Sequence, residues 1–357
     1  MTLNFKTIRD SGNLRRKRVF LAIDLNVPIQ DRKVVDNYRI TRSKKTLDFL
    51  AENGAHTLLV SHRTNEAESL APVYGKLKEL YPIVFAKTLE EARIALEKAK
   101  NGSFVLLENI RQLNGEQENE EAFAKKIASL ADVYVNEAFS SSHRAYASIV
   151  GVPKFLPHYA GFLFEEEVQN LSKAFSPAHP FLFILGGAKF ETKLPLIEKF
   201  LSVADEVWVM GALANDIFKA RGEPVGSSRV STTDFPNALL HNPKLRVPSD
   251  VVRSGDRIVD AGEKTVADIR ASARAAKLIV WNGPLGEYER GFTAGTEGVA
   301  RALAESGAET IVGGGDTLAA IARLGILEKF SFVSTGGGAM LEFLANETLP
   351  GLEVLRW

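Results

Sequence analysis

Residues 181–189 read FLFILGGAK, a run of five apolar residues that ends at two glycines. The run has the length and composition of a buried β-strand, and the glycines permit a tight turn directly after it. Strand-like runs with glycine just beyond them return further along the chain, at residues 206–211, 278–286, 310–315 and 330–338. Because segments of helical length separate these runs, the second half predicts βαβ units and a parallel sheet.

The first half of the chain repeats this alternation. Strand-like runs begin at Arg18, Thr57, Ile83, Phe104 and Asp132. The segment before the last of them has helical spacing, with Phe123, Ile127 and Leu130 on one face. Residues 156–175 hold no strand-like run, and we expect one long connecting helix there. The sequence therefore predicts an α/β protein with two similar-sized, Rossmann-like three-layer domains with parallel sheets, at residues 1–155 and 176–345, joined by a hinge helix.

Composition narrows the functional classes. The 357 residues include 44 Lys and Arg against 44 Asp and Glu, so no net charge attracts nucleic acid or an anionic membrane. Cysteine is absent, which excludes disulfides, thiolate nucleophiles, Cys-ligated zinc and iron–sulfur clusters. The first ten residues contain no signal-like apolar segment, and no apolar stretch is long enough to span a bilayer. We expect a soluble, cytoplasmic protein.

The glycine clusters of the second half all follow strand-like runs, so they should lie at one edge of the sheet. Backbone amides and helix N-termini at such an edge bind anions, and the glycines at 313–315 let several N–H groups approach phosphates. Asp316 adds a carboxylate, which a polyphosphate would repel unless a cation such as Mg²⁺ lay between them. Lys189 and Lys193 could supply positive charge. One glycine loop alone could be a tight turn, but five loops with Asp and Lys favour an anion site.

Several nucleotide-binding signatures are missing from the chain. There is no GxxxxGK[ST] loop, no GxGxxG after a strand and no HRD loop. Their absence disfavours P-loop proteins, Rossmann dehydrogenases and protein kinases. The six histidines form no pair at metal-ligand spacing, which disfavours a zinc site.

Basic residues follow the strand-like runs of the first half. They are Arg39, His62, Arg63, Arg111, His143 and Arg144. Guanidinium groups bind phosphate and carboxylate in bidentate fashion, so a convergent set at one sheet edge would bind a small dianionic or trianionic acid. Asp24 and Asn26 could bind a hydroxyl of that acid. Any single Arg is more often a solvated surface residue, but the shared placement favours a pocket.

These motifs resemble those of the phosphoglycerate kinase family, in the same order and along nearly the whole chain. The loops that resemble its N-terminal domain are DLNVP (24–28), LLENIR (106–111), ADVYVNEAF (131–139) and HRAYAS (143–148). The loops that resemble its C-terminal domain are GGAKFETK (186–193), WNGPLGEYE (281–289), GGGDT (313–317) and STGGGA (334–339). LPGLEVLR (349–356) resembles the end of the family's chains.

The resemblance implies a two-domain hinge enzyme. Such an enzyme transfers a phosphoryl group reversibly between 1,3-bisphosphoglycerate and ADP, giving 3-phosphoglycerate and MgATP. The first domain would bind phosphoglycerate and the second the nucleotide, and a C-terminal tail at 346–357 would pack back on the first domain. We expect a monomer that binds neither nucleic acid nor membrane.

The resemblance also implies a role for each matching residue. The phosphoglycerate-binding positions are Asp24, Asn26, Arg39, His62, Arg111 and Arg144. Arg39 would stabilise the transferring group, Lys189 would follow it across, and the amides at 336–338, including Gly337 and Gly338, would bind it. The nucleotide-facing positions are Gly186, Gly187, Lys189, Lys193, Gly211, Asn282, Glu289, Gly313, Gly314, Gly315, Asp316 and Thr317. Among these, Asp316 would bind Mg²⁺ and Glu289 the ribose hydroxyls.

Some positions depart from the family pattern. Asn65 stands where the family has an arginine, and Arg63 is the candidate replacement for binding the acid. Glu263 stands in place of a usual proline and Phe332 in place of a frequent histidine. The segments after His62 and at 86–101 are short, so the chain resembles a compact form. The altered pocket leaves an alternative, a catalytically impaired nucleotide-binding scaffold of the same fold; the missing glycine fingerprint disfavours an oxidoreductase.

Overall fold

The computed structural model describes residues 4–188 and 190–356, and the chain folds into two units. The first unit contains residues up to 169 together with those from 348 onward, and the second contains residues 170–347. A backbone bridge between Phe5 and Arg356 joins the two ends of the chain within the first unit.

A sheet of six parallel strands forms the centre of the first unit. Its spatial order is β5-β6-β4-β1-β7-β8, and β2 and β3 form a separate antiparallel hairpin. The strands of this unit are β1 (Arg18–Ala22), β2 (Ile29–Gln30), β3 (Lys33–Val34), β4 (His56–Val60), β5 (Ile83–Ala86), β6 (Phe104–Leu107), β7 (Val133–Asn136) and β8 (His158–Ala160).

Helices cover this sheet and bury their apolar faces. They are α1 (Tyr38–Arg42), α2 (Lys44–Glu52), α3 (Ala71–Leu77), α4 (Leu89–Glu97), α5 (Glu121–Ala128) and α6 (Phe162–Leu171). One core joins Leu21 of β1 to Leu47 of α2 and Val73 of α3. The face predicted for α5 is buried, since Phe123 and Ile127 are at most 8% exposed.

The single helix predicted over residues 156–175 is wrong in detail. The structure has β8 there, then α6, then a 3-10 turn from Ser172 to Phe175. The carbonyl of Pro157 accepts the amide of Tyr134 on β7, which places the next residues on the sheet edge. α6 begins only after Gly161, where Glu137, from a distant part of the sequence, accepts the amide of Leu163 in its first turn. Such long-range hydrogen bonds leave no local sequence signal.

The second unit has a parallel sheet of six strands in the order β11-β10-β9-β14-β15-β16. A separate antiparallel hairpin joins β12 to β13. The strands are β9 (Phe181–Leu185), β10 (Glu206–Val209), β11 (Leu245–Arg246), β12 (Val251–Ser254), β13 (Arg257–Ala261), β14 (Leu278–Asn282), β15 (Glu309–Gly313) and β16 (Phe332–Val333). The helices are α7 (Phe190–Val203), α8 (Ala212–Ala220), α9 (Asn237–Leu240), α10 (Glu263–Ala275), α11 (Ala294–Ala304), α12 (Gly315–Arg323) and α13 (Gly338–Asn346), followed in the first unit by α14 (Pro350–Glu353).

The strand order reverses direction once in each main sheet. In the first unit the chain runs outward from β1 through β4 and returns to place β7 on the other side; in the second, β10 and β14 flank β9 in the same way. Ligands of open parallel sheets bind at this reversal, beyond the carboxyl ends of the strands. The predicted α/β class with two parallel sheets is confirmed. None of the helices in the described residues is long and apolar enough to cross a membrane.

Candidate active site

The first cluster surrounds Asp24, which follows β1 and is 7% exposed. Its carboxylate accepts hydrogen bonds from the guanidinium of Arg39, on α1, and from the hydroxyl of Ser140, which follows β7. It also accepts the amide of Asn26 at 2.9 Å, which fixes the turn after β1. The Arg39 side chain is 34% exposed, so the ion pair leaves part of the guanidinium accessible to a ligand.

His62 lies among the positive charges of this cluster. Burial lowers the pKa of its imidazole to about 4, and the carboxylate of Asp24 opposes that shift. Three guanidinium groups lower the pKa further: Arg111, Arg39 and Arg63. The structure therefore brings Asp24, Arg39, His62 and Arg111 together, and the imidazole is neutral at neutral pH.

Arg111 is supported from two sides. Its Nη1 donates to the carbonyls of Arg63 and Thr64, each at 3.2 Å. Its guanidinium carbon lies 5.5 Å from the centre of the Tyr146 ring, an arrangement that favours a cation over the ring face. Arg144, two residues before Tyr146, is exposed. The structure thus places Arg144 on the loop that supports Arg111.

Arg63 and Asn65, in the loop after β4, both form hydrogen bonds within the protein. The Arg63 side chain is 9% exposed, its Nε donates to Glu68 at 3.1 Å and its Nη1 donates to the carbonyl of Val27 at 2.5 Å. The Asn65 carbonyl oxygen Oδ1 accepts the amide of Ala67 at 2.9 Å and caps a turn. Arg63 contributes charge near His62, and its role in binding the acid stays a prediction.

In the second unit, the loops after β9 and β14 interlock at their glycines. A Cβ on Gly186 would lie 2.1 Å from the carbonyl oxygen of Pro284, and one on Gly283 would lie 2.3 Å from the carbonyl oxygen of Gly186. The amide of Gly187 donates to Pro284 at 3.2 Å. Side chains at these positions would push the two loops apart, so glycine is required for the backbone to form this surface.

The loop after β15 joins the same surface. The hydroxyl of Thr317 accepts the amide of Gly283 at 2.9 Å, which ties α12 to the loop after β14. Gly314 has a φ of 99° and its Cβ position faces Asn282. Asn282, Gly314 and Thr317 thus lie together, and α12 begins beside them with its free amides at this edge.

A cavity of about 270 Å³ adjoins these loops. Its wall includes Gly187, Gly211, Asp260, Pro284, Glu289 and Asp316. Apolar residues of the β12–β13 hairpin, including Val251 and Ile258, form another side. Such a cavity, apolar with a few polar groups at its rim, is typical of a small-molecule site.

Of the two predicted lysines, Lys193 is described and Lys189 lies outside the described residues. Lys193 is 8% exposed and its Nζ donates to the carbonyl of Gly186. Its charge is therefore held beneath the loop after β9. Gly337, with a φ of 54°, precedes α13, so the amides at 336–338 lie at the carboxyl edge of β16.

The carboxylate of Asp316 suits a hard cation only in combination with ligands from elsewhere. Asp316 is exposed in the first turn of α12 and lines the cavity. The described residues contain no group of three or more His, Asp or Glu side chains that could hold a metal alone. Mg²⁺ is commonly held by one or two carboxylates together with phosphates and water, and Asp316 fits that pattern.

A family model described as phosphoglycerate kinase matches residues 8–347. The chain belongs to the phosphoglycerate kinase family. Phosphoglycerate kinases are transferases of the kinase class that act in glycolysis, so the chain is an enzyme. It is 40% identical to the phosphoglycerate kinase of Herpetosiphon aurantiacus, over 99% of each chain, and 40% identical to that of Thermosipho africanus, over 97% of this chain and 96% of that one.

Solved phosphoglycerate kinase structures have the same fold. The enzyme of Pyrococcus horikoshii matches with a TM-score of 0.86 and 30% identity, and that of Coxiella burnetii with 0.82 and 34%; each match covers 98% of both chains. The alignment with the Herpetosiphon phosphoglycerate kinase spans 395 positions against the 357 residues here. The alignment therefore contains gaps in this chain, in agreement with the compact form expected from the sequence.

Sequence reasoning missed two residues of the first cluster. Ser140 lies in the run of three serines after the NEAF motif, and its hydroxyl bonds to Asp24. Tyr146 lies in the HRAYAS motif and supports Arg111. Their motifs carry the family resemblance, but only the fold shows which neighbour each side chain contacts.

Proposed function

We propose that this chain catalyses the reversible transfer of a phosphoryl group between 1,3-bisphosphoglycerate and ADP, giving 3-phosphoglycerate and ATP. The proposal rests chiefly on the cationic cluster around Asp24 and Arg39, in a chain that matches phosphoglycerate kinases over nearly its whole length. In the second unit, the glycine loops form a surface at the carboxyl edge of the parallel sheet, where phosphates can bind.

The first cluster binds the acid in this proposal. Arg39, Arg111 and Arg144 neutralise its phosphate and carboxylate, the neutral imidazole of His62 donates a hydrogen bond to it, and Asp24 and Asn26 bind its hydroxyl. Arg63 reinforces the local positive charge. Because several fixed cations converge, a dianionic or trianionic acid is favoured over a neutral one.

The second cluster binds the nucleotide. Gly187 and Gly211 border the base in the cavity, Gly186 lies next to them in the loop after β9, and Glu289 binds the ribose hydroxyls. Asn282, Thr317 and the amides at 313–315 face the phosphates, and Lys193 supplies positive charge to them from beneath the loop after β9. Asp316 would hold Mg²⁺ together with the phosphates. When bound, the ion supplies positive charge to the phosphate oxygens.

Transfer itself needs positioning and charge neutralisation rather than a covalent intermediate. Arg39 stabilises the charge on the moving group from the acid side. Lys189, whose role is assigned from its motif alone, moves with the phosphoryl group from one substrate to the other. The amides of Gly337 and Gly338 bind the group on the nucleotide side. Because the acid and the nucleotide bind different units, transfer includes a closing step that also excludes water.

We also propose that the protein is a monomer in the cytoplasm and that its partners are its small-molecule substrates. Equal numbers of basic and acidic residues provide no overall attraction to nucleic acid. Sedimentation of the purified protein tests the oligomeric state, and two or more copies per particle would contradict it.

A coupled assay tests the function. Purified protein is supplied with 3-phosphoglycerate and MgATP, and 1,3-bisphosphoglycerate is read through a dehydrogenase. We expect robust turnover by the wild-type protein.

Asn65 motivates the second candidate, an impaired nucleotide-binding scaffold, because its side chain caps a turn where the family has an arginine. The same assay is therefore run on Asn65→Arg. Wild-type protein that binds MgADP without turnover, with activity in the variant, would support the scaffold and overturn the kinase.

A further inference from the structure

A buried carboxylate lies behind the loop at 143–148, which carries Arg144 and Tyr146. Glu116 is 1% exposed. Its Oε1 accepts the hydroxyl of Ser148 at 2.5 Å, and its Oε2 accepts the amide of Ser148 at 3.0 Å. Its backbone carbonyl accepts the amide of Ala147 at 2.8 Å. Three hydrogen bonds therefore fasten the end of this loop to one residue.

The loop in turn supports Arg111 through the ring of Tyr146. The Arg111 Nε is buried and has no hydrogen-bond acceptor among the described residues. The orientation of the guanidinium thus depends on the Tyr146 ring and on the two carbonyls that its Nη1 contacts. A displaced Tyr146 would remove one of these two supports.

Glu116 is close to the acid-binding cluster as well as to the loop. It shares the wall of a cavity of about 10 Å³ with His62, Tyr146 and Ser148. Burial raises the pKa of the Glu116 carboxyl to about 7, and the positive charge of Arg111 opposes that shift. Glu116 therefore lies directly behind the residues assigned to the acid.

We propose that Glu116 is a positioning residue for the acid substrate: it fixes the loop at 143–148 and so holds Arg111 and Arg144 where they bind the acid. This inference rests on the proposed function. Glu116 does not touch the substrate, and it acts through Ser148 and Tyr146.

Two variants of Glu116 separate its hydrogen bonds from its charge. Glu116→Leu removes both acceptor oxygens at similar volume. Glu116→Gln is the conservative variant, because its carbonyl oxygen accepts the Ser148 amide while the serine hydroxyl, which can also accept, pairs with the new NH₂ group. Glu118→Leu is the matched control, since Glu118 is exposed two residues along the same turn and is close enough for its charge to act on Glu116.

Calorimetric titration gives the Kd for 3-phosphoglycerate and the Kd for MgADP separately, and steady-state assays give KM and kcat. We expect Glu116→Leu to raise the Kd for 3-phosphoglycerate about tenfold, the effect of one lost hydrogen bond to a charged group. The Kd for MgADP should stay within about twofold, because the nucleotide binds the other unit. Glu116→Gln should restore most of the affinity, and Glu118→Leu should match wild type.

Three results would overturn the inference: an unchanged Kd for 3-phosphoglycerate in Glu116→Leu, an equal loss of affinity for both ligands, or the same loss in Glu118→Leu. If Glu116→Leu fails to fold, Ser148→Ala replaces it as the test. We expect Ser148→Ala to raise the Kd for 3-phosphoglycerate about threefold, and an unchanged Kd would contradict the inference. Wild-type protein that neither binds nor turns over 3-phosphoglycerate would instead overturn the proposed function itself.

Discussion

The guanidinium of Arg39 donates to the carboxylate of Asp24, and the hydroxyl of Ser140 donates to the same carboxylate. The ion pair therefore sets the position of the arginine before any substrate binds. A cation fixed in advance stabilises developing charge without reorganising during the reaction. This arrangement makes Arg39 the residue of the first cluster whose loss should affect turnover most.

We expect Arg39→Ala to lower kcat by about 10²- to 10³-fold, the usual effect of removing one preorganised group that stabilises the transition state. Nucleotide affinity should change little, because MgADP binds the other unit. Steady-state rates at saturating concentrations of both substrates give kcat. Arg93→Ala, which removes an exposed arginine that pairs with Glu90 and Glu97, is the control. A kcat within about twofold of wild type would remove Arg39 from this role.

Asp316→Ala should weaken MgATP binding specifically. The carboxylate favours the nucleotide only through the metal, so the Kd for MgATP should rise about tenfold while the Kd for ADP measured in EDTA should not rise. Titration calorimetry provides both values. Asp234→Ala, at an exposed position of the same unit, serves as the control. Equal MgATP affinity in the variant and wild type would place the metal elsewhere.

The imidazole of His62 should titrate with a pKa of about 4 in the free protein, because it is buried among positive charges. Saturating 3-phosphoglycerate should raise that pKa, since an anion favours the charged imidazole. NMR of the ring protons follows the titration, and His62→Gln assigns the signal. A ring that titrates near the ordinary 6.5 without ligand would contradict the burial of His62.

Glu137 should make stability depend on pH. It is fully buried where it accepts the amide of Leu163 in the first turn of α6, and burial raises the pKa of its carboxyl to about 8. Hydrogen bonds from Thr46 and Leu163 oppose that shift, and the charge of Glu166 adds to it. A carboxyl with a raised folded pKa stabilises the fold fully below its unfolded pKa of 4.5 and loses that contribution as pH rises to about 8.

Glu137→Gln keeps the shape and one acceptor without the charge. Its free energy of unfolding relative to wild type should therefore increase steadily between about pH 4.5 and pH 8. Urea unfolding at a series of pH values measures the difference. Glu52→Gln, on an exposed part of α2, should show no such trend. A constant difference across that range would mean that Glu137 is not titrating in the folded state.

The strands and glycine loops were predictable because both depend on local pattern: an apolar run of four or five residues, then glycine where the backbone turns at a sheet edge. The edge position of the basic residues followed from the same logic. The partners did not, since Ser140 contacts Asp24 across 116 residues of sequence and Glu137 meets α6 only in the folded chain.

Arg63 illustrates a different limit of sequence reasoning. Its position beside His62 predicts a residue that faces the acid, yet its guanidinium donates to Glu68 and to the carbonyl of Val27. A side chain with five donors bonds to whatever acceptors the surrounding loops provide. Position along the chain fixes where the backbone of such a residue lies, and the neighbouring loops decide where its head group points.

The bridge between Phe5 and Arg356, together with the packing of Gly351 against Ser142, has a consequence for biosynthesis. The ribosome makes residues 170–347 before it makes the segment that completes the first unit. During translation the second unit can therefore fold while the first still lacks one of its pieces. The earliest part of the chain to emerge is then the last to reach its native state, which reverses the usual order for domains made in sequence.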